Sequence, residues 1–129
     1  MKKKILIVLA NYYKGISNGL LQSAQKEISR SCKIKIINVP GVFEIPITIA
    51  NNINKFNAFL ALGCVIKGKT PHFNFISQAT TNAIMNLSID FKKPIGNGII
   101  TCLNLKQAKV RSEMKGIEAA KAVFSVLEQ

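Results

Sequence analysis

The chain has a single histidine, His72, in the stretch Gly63-Cys64-Val65-Ile66-Lys67-Gly68-Lys69-Thr70-Pro71-His72-Phe73. Few side chain types exchange protons near neutral pH as histidine does, so this residue invites an acid–base reading. Its surroundings suit an anion. An apolar, β-branched run ends and a short basic loop follows. Thr70 is placed to cap a helix, and Pro71 suits a first helical position, where its missing N–H costs nothing. The free N–H groups and positive end of such a helix attract negative charge; Gly68 lets the backbone approach closely and Lys69 adds a cation. The same residues fit the nucleotide-binding pattern G-x-x-x-x-G-K-[ST] through Gly63, Gly68, Lys69 and Thr70. That pattern requires a flexible loop across its first positions and an aspartate for magnesium at a strand end. Here Cys64, Val65 and Ile66 read as strand, and the chain's one aspartate, Asp90, closes a helical pattern. Proton transfer beside an anion is the favoured reading.

Three further places hold residues able to touch a ligand. In Val39-Pro40-Gly41-Val42-Phe43-Glu44-Ile45-Pro46, Pro-Gly marks a turn and Glu44 is an acid among apolar neighbours. With only six acidic residues in the chain, a carboxylate in that setting calls for a partner or a ligand, although a surface turn packed by Phe43 is an equal reading. Arg111 is one of two arginines among eighteen basic residues, and its planar fork suits bidentate phosphate binding. Alone, it reads better as a solvated helix residue. Tyr12 and Tyr13 follow the first apolar run, where an aromatic face can stack on a flat heterocycle, although alone such residues more often pack.

The elements that must position these residues alternate as β-α-β-α-β-α-β-α. Strands are expected over 3–10, 34–39, 57–66 and 95–102. Helices are expected over 17–30, from Pro46, from Pro71, over 106–111 and over 116–127. Leu20, Leu21, Ala24 and Ile28 form the apolar stripe of the first helix, and Phe75, Ile76, Ala79, Ala83, Ile84 and Leu87 that of the third. No linker, repeat or low-complexity segment divides the chain. The expected fold is one α/β domain over 1–129, a three-layer αβα sandwich around a four-stranded parallel sheet with flavodoxin-like winding, covered on both faces. Ligands of such sheets bind beyond the carboxyl ends of the strands, here 10–13, 39–44, 64–72 and 101–104.

Composition narrows the class. Cys32, Cys64 and Cys102 are odd in number and lack a CxxC pair, which argues against a disulfide framework and a zinc site. One histidine leaves no His-rich metal centre. The apolar runs fall short of the roughly 20 residues a membrane span needs. Lys2-Lys3-Lys4 before a brief apolar stretch lacks a signal-peptide cleavage site, so a cytoplasmic protein is expected. The net charge of +12 raises nucleic-acid binding, but the basic residues are scattered rather than gathered in a stripe, so none is expected. A general attraction for small anions fits better.

Taken together, the segments resemble the 6,7-dimethyl-8-ribityllumazine synthase family over nearly the whole chain. Pro40-Gly41-Val42-Phe43-Glu44-Ile45-Pro46 looks like the family's PG-small-aromatic-E motif, and Gly63 to Phe73 like its long G-x-x-I-[RK]-G-x-T-P-H-F signature. Pro94 to Thr101, then Gln107-Ala108 with Arg111, then Lys115-Gly116 with Glu118-Ala119-Ala120 follow in the family's order. The resemblance implies condensation of 5-amino-6-(D-ribitylamino)uracil with 3,4-dihydroxy-2-butanone 4-phosphate, with loss of phosphate and water and no redox cofactor or metal. It implies that Tyr12 stacks on the uracil ring, that Val42, Phe43 and Glu44 hold the ribityl chain and ring, and that Cys64, Val65 and Ile66 offer backbone groups to the pyrimidine. Gly68, Lys69, Thr70 and Arg111, helped by Lys115, would bind the phosphate, and His72 would move the protons. Asn97 stands where the family usually has phenylalanine, leaving a backbone contact to substrate, and Tyr13 stands where it usually has asparagine. The resemblance further implies a homopentamer with sites between neighbours, His72 and the phosphate loop coming from one subunit and Tyr12 and Arg111 from across the interface or nearby. It also names riboflavin synthase as a candidate protein partner. The start at Met1-Lys2-Lys3-Lys4-Ile5 and the short Ser112-Glu113-Met114 link favour an isolated pentamer over a shell.

Overall fold

The computed structural model describes residues 2–28, 30–68 and 71–129. Strand β1 (Lys4–Ala10) is followed by α1 (Lys14–Glu27), β2 (Lys33–Val39), α2 (Ile45–Asn51), β3 (Ala58–Ile66), α3 (His72–Phe91), β4 (Ile95–Cys102) and α4 (Leu105–Leu127), with a 3-10 turn over Val42–Glu44 leading into α2. The four strands form one parallel sheet in the order β2-β1-β3-β4, the winding of a flavodoxin-like sheet. This is the expected three-layer α/β sandwich.

Strand β1 shows why the layers form. Its run Ile5-Leu6-Ile7-Val8-Leu9-Ala10 is buried throughout, as suits a central parallel strand covered on both faces. Because strand side chains alternate, Ile5, Ile7 and Leu9 join Leu20 and Ala24 of α1 and Ala119, Ala120 and Val123 of α4 in one core. Leu6, Val8 and Ala10 join Val42, Ile45 and Ile49 around α2, and Ile84 of α3, in the other. Each fully buried Leu or Ile contributes about 1.5–3 kcal/mol, so β1 fastens the two layers to one another. Cover is thinner at the sheet edge than the sequence suggested. On β2, Ile34 and Ile36 remain more than a third exposed.

Four expectations need correction. Helix α1 begins a turn earlier than position 17 and ends at Glu27, because Ile28 is already extended. The two expected C-terminal helices are one continuous α4; Gly116 lies in its interior for packing reasons, not at a start. Pro71 flanks α3 and His72 is its first residue; Thr70, the expected cap, lies outside the described residues. The stripe on α3 is narrower than expected: Ile84 is buried and Ile76 and Leu87 pack against the core, whereas Phe75 and Ala79 are exposed. Helical spacing identified the helix correctly but could not distinguish two apolar faces from one.

Candidate active site

The carboxyl ends of β1 and β3 and the turn after β2 meet in one cleft of about 690 Å³, lined by Tyr12, Tyr13, Gly41, Val42, Phe43, Glu44, Cys64, Val65, Ile66, His72 and Ile76. Parallel strands make this convergence unavoidable, because their carboxyl ends all emerge on one rim. After β1, Asn11 N–H donates to Val39 O (3.1 Å) and Ser17 Oγ to Ala10 O (2.6 Å). These bonds fix the short link on which Tyr12 and Tyr13 stand. The two rings meet edge to face with centroids 4.9 Å apart, and Tyr12, which lines the cleft, remains 74% exposed.

The 3-10 turn carrying Val42, Phe43 and Glu44 lies directly against β3. A Cβ on Gly63 would meet Val42 Cγ1 at 2.7 Å and Ala10 Cβ at 3.0 Å, so glycine there lets the turn seat low enough for its side chains to line the cleft. Thr48 Oγ1 donates to Glu44 O (2.8 Å), holding the turn to the helix behind it. Phe43 is 62% exposed. Among the described residues no ion pair reaches the Glu44 carboxylate.

The floor of the cleft is kept neutral. Burial, with Cys102 adding to it against the lowering effect of Arg111, pushes the Cys64 thiol up to about 12. Burial, then Cys64 and Tyr12, raise the Tyr13 phenol. Both therefore hold their protons under physiological conditions, and neither is a ready nucleophile or base. His72 projects from the exposed first residue of α3 into this cleft.

Not every expected site residue is gathered here. Arg111, Lys115 and Asn97 do not line the cleft. Arg111 lies at the end of β4, its Nη1 donating to Thr101 O (3.0 Å) and to Cys102 Sγ (3.6 Å). Lys115 pairs within α4 with Glu118 (3.9 Å). Asn97, exposed on the edge strand β4, turns its Oδ1 back to accept from Ile99 N–H (3.1 Å). Gly68 is exposed with open space around it, while Lys69 and Thr70 lie outside the described residues. Tyr12, expected from across an interface or nearby, lines the same cleft as His72 within one chain. The P-loop alternative also fails, because Gly63 to Ile66 are hydrogen-bonded strand and Asp90 ends a helix.

The family model for 6,7-dimethyl-8-ribityllumazine synthase matches residues 2–129. The chain belongs to this family. It is 39% identical over 130 residues to the 6,7-dimethyl-8-ribityllumazine synthase of Zymomonas mobilis, covering 95% of this chain and 93% of that one. To the synthase of Cutibacterium acnes it is 37% identical over 132 residues, covering 96% and 80%, and to that of Buchnera aphidicola 39% over 135 residues, covering 98% and 85%. Membership makes the chain a transferase of riboflavin biosynthesis. For a lumazine synthase, the cleft offers a flat aromatic wall, a carboxylate, a run of strand backbone and one imidazole. These suit a planar, hydrogen-bonding substrate undergoing proton transfers. Sequence reasoning missed Ile76 as part of the cleft, treating it only as core. It also missed the tether that holds Arg111 to β4. Neither follows from spacing, because each depends on where α3 and α4 land on the sheet.

Proposed function

We propose that the cleft binds 5-amino-6-(D-ribitylamino)uracil, with Tyr12 against the ring, backbone groups of Cys64, Val65 and Ile66 along its edge, and Val42, Phe43 and Glu44 holding the ribityl chain. The observation that carries this reading is the convergence of Tyr12, Glu44 and His72 in one cleft of suitable volume. The second substrate, 3,4-dihydroxy-2-butanone 4-phosphate, places its phosphate on Gly68, Lys69, Thr70 and Arg111, with Lys115 one helical turn further along α4. Its ketone then lies near His72, where the amine adds, phosphate leaves and the ring closes with loss of water. The imidazole moves the protons of these steps. Asn97 offers at most its backbone, its side chain being engaged on its own strand. The domain spans 1–129 and works in the cytoplasm.

An Arg111→Lys variant tests the phosphate assignment. Lysine keeps the charge but loses the fork, so KM for the butanone phosphate rises about tenfold while KM for the pyrimidine stays within about twofold. Lumazine absorbance in steady state measures both. Equal changes in the two constants would make Arg111 structural.

We further propose a homopentamer whose sites lie between neighbours, as an isolated ring. Supporting this is an apolar surface with no cover in one chain: Phe43, Ile47, Phe75, Met85 and Ile89 are all more than half exposed. A groove beside them, lined by Pro46, Ile47, Ala79 and Ala83, also holds Thr80, whose buried Oγ1 has no hydrogen-bond partner among the described residues. Patches of this kind mark interfaces. Arg111 and Lys115, absent from the lining of their own chain's cleft, then complete a neighbour's site. Light scattering should give five times the chain mass. Assayed at butanone phosphate well below the raised KM, where each is nearly inactive alone, subunits carrying His72→Ala and Arg111→Ala should recover about a quarter of wild-type activity when co-assembled in equal amounts, since a quarter of shared sites then carry both groups. A fully active monomer, or no recovery, would overturn the shared site.

A further inference from the structure

The start of α4 carries an interlock that the cleft does not explain. Asn104, the residue capping α4, accepts Gln107 N–H on its Oδ1 (2.9 Å), and Gln107 Oε1 accepts Leu103 N–H in return (2.9 Å). This is a reciprocal capping pair whose return bond reaches one residue beyond the cap. It clamps both residues of the link between β4 and α4. The strand end on its other side is equally fixed, because Lys67 N–H donates to Cys102 O (2.8 Å) and extends the sheet ladder to the last residue of β4.

Gln107 and Arg111 are four residues apart, on the same face of α4. Both reach back to the end of β4: Gln107 to Leu103, Arg111 through Nη1 to Thr101 O and Cys102 Sγ. The Arg111 tether uses only one corner of the guanidinium. Among the described residues, no hydrogen bond engages its Nε or Nη2, so the edge bearing those donors stays open in a fixed plane, the geometry a bidentate oxyanion contact needs. The plane is only as well defined as the position of the first turn of α4 relative to Thr101 and Cys102, and the Gln107 bond to Leu103 is one of the contacts that hold that turn.

We infer that Gln107 is a positioning residue for the phosphate-bearing substrate, acting through Arg111 and not by touching substrate. The inference rests on the reading of Arg111 as a phosphate ligand. Without the Gln107 side chain the first turn of α4 shifts or frays against β4, and the fork loses its fixed aim. The loss falls on one substrate, since the pyrimidine cleft is built from β1, β3 and the turn after β2.

Steady-state kinetics on single and double variants test this. Gln107→Ala should raise KM for the butanone phosphate about fivefold, the loss of one capping interaction, with kcat and the pyrimidine KM within about twofold. In an Arg111→Ala background, Gln107→Ala should add no further increase, as expected of residues acting in series. A purely structural role predicts a lower Tm with both KM values unchanged, or equal increments in both backgrounds; either result overturns the inference while leaving Arg111 as a ligand. If Arg111→Ala alone leaves the phosphate-substrate KM unchanged, the reading of Arg111 fails and the inference fails with it.

Discussion

His72→Ala lowers kcat for lumazine formation by about 10²–10⁴-fold, the usual contribution of a positioned acid–base group. Substrate KM values change far less, and thermal stability stays close to wild type. The size of the effect follows from what else the cleft offers. Addition of an amine to a ketone, loss of phosphate and dehydrative ring closure all require protons to move. Cys64 is held neutral with its thiol pushed up to about 12, and the Tyr13 phenol is raised as well. Neither accepts a proton's place in the reaction near neutral pH. Glu44, on the 3-10 turn, lines the same cleft and is assigned to holding a ribityl hydroxyl. That leaves the imidazole. Stability is spared because His72 is exposed at the first residue of α3, where alanine is at least as good a helix former. Thermal unfolding with and without the substitution separates a folding defect from a chemical one. A variant with unchanged kcat would remove His72 from the mechanism, whereas a collapse in Tm would make it structural.

Much of the architecture was readable before the structure. The all-apolar run of β1 announced a strand buried on both sides, and each strand falls within a residue or so of its expected bounds, because β-branched runs flanked by polar and glycine positions leave few alternatives. The cleft was legible for a topological reason: in a parallel sheet, residues after different strands share one rim wherever they stand in the sequence. Tyr12, Glu44 and His72 therefore converge without any contact having been foreseen. What could not be read is which side of a helix meets a neighbour. Phe75 and Ala79 fit the same helical period as Ile76 and Ile84, yet face away from the sheet. The period fixes spacing, while the sheet fixes rotation. Arg111 is similar: its type suggested phosphate, but its tether to Thr101 depends on how tightly α4 starts after β4.

Gly116 shows the same limit with its sign reversed, and it gives the largest expected effect on stability. Read from sequence, a glycine between two helical patterns suggests a boundary, and within a helix its replacement by alanine should gain about 1 kcal/mol. In the structure Gly116 sits in the middle of α4, where α4 crosses α1. A Cβ there would run into Ser23 Oγ and Leu20 O and would approach Ala24 N to 3.0 Å. The crossing is built from small residues on both sides. Gly19 and Ser23 of α1 face Ser112 and Gly116 of α4, and a Cβ on Gly19 would already touch Ser112 Oγ at 3.0 Å. Ser23 could rotate its hydroxyl away, but Leu20 O and Ala24 N are backbone and move only if the two helices separate. Separation opens the core that Leu20 and Ala24 share with Ala119, Ala120 and Val123. Overpacking typically costs about 1–3 kcal/mol, enough to outweigh the propensity gain. Gly116→Ala therefore destabilises slightly instead of stabilising, and Gly116→Val, with two more methyl groups at the same crossing, costs about 3 kcal/mol, a fall in Tm on the order of 10 °C. Thermal unfolding followed by circular dichroism measures both. A rise in Tm for Gly116→Ala would mean that α1 and α4 do not meet this closely, whereas a fall that deepens from alanine to valine follows from backbone contact at Gly116.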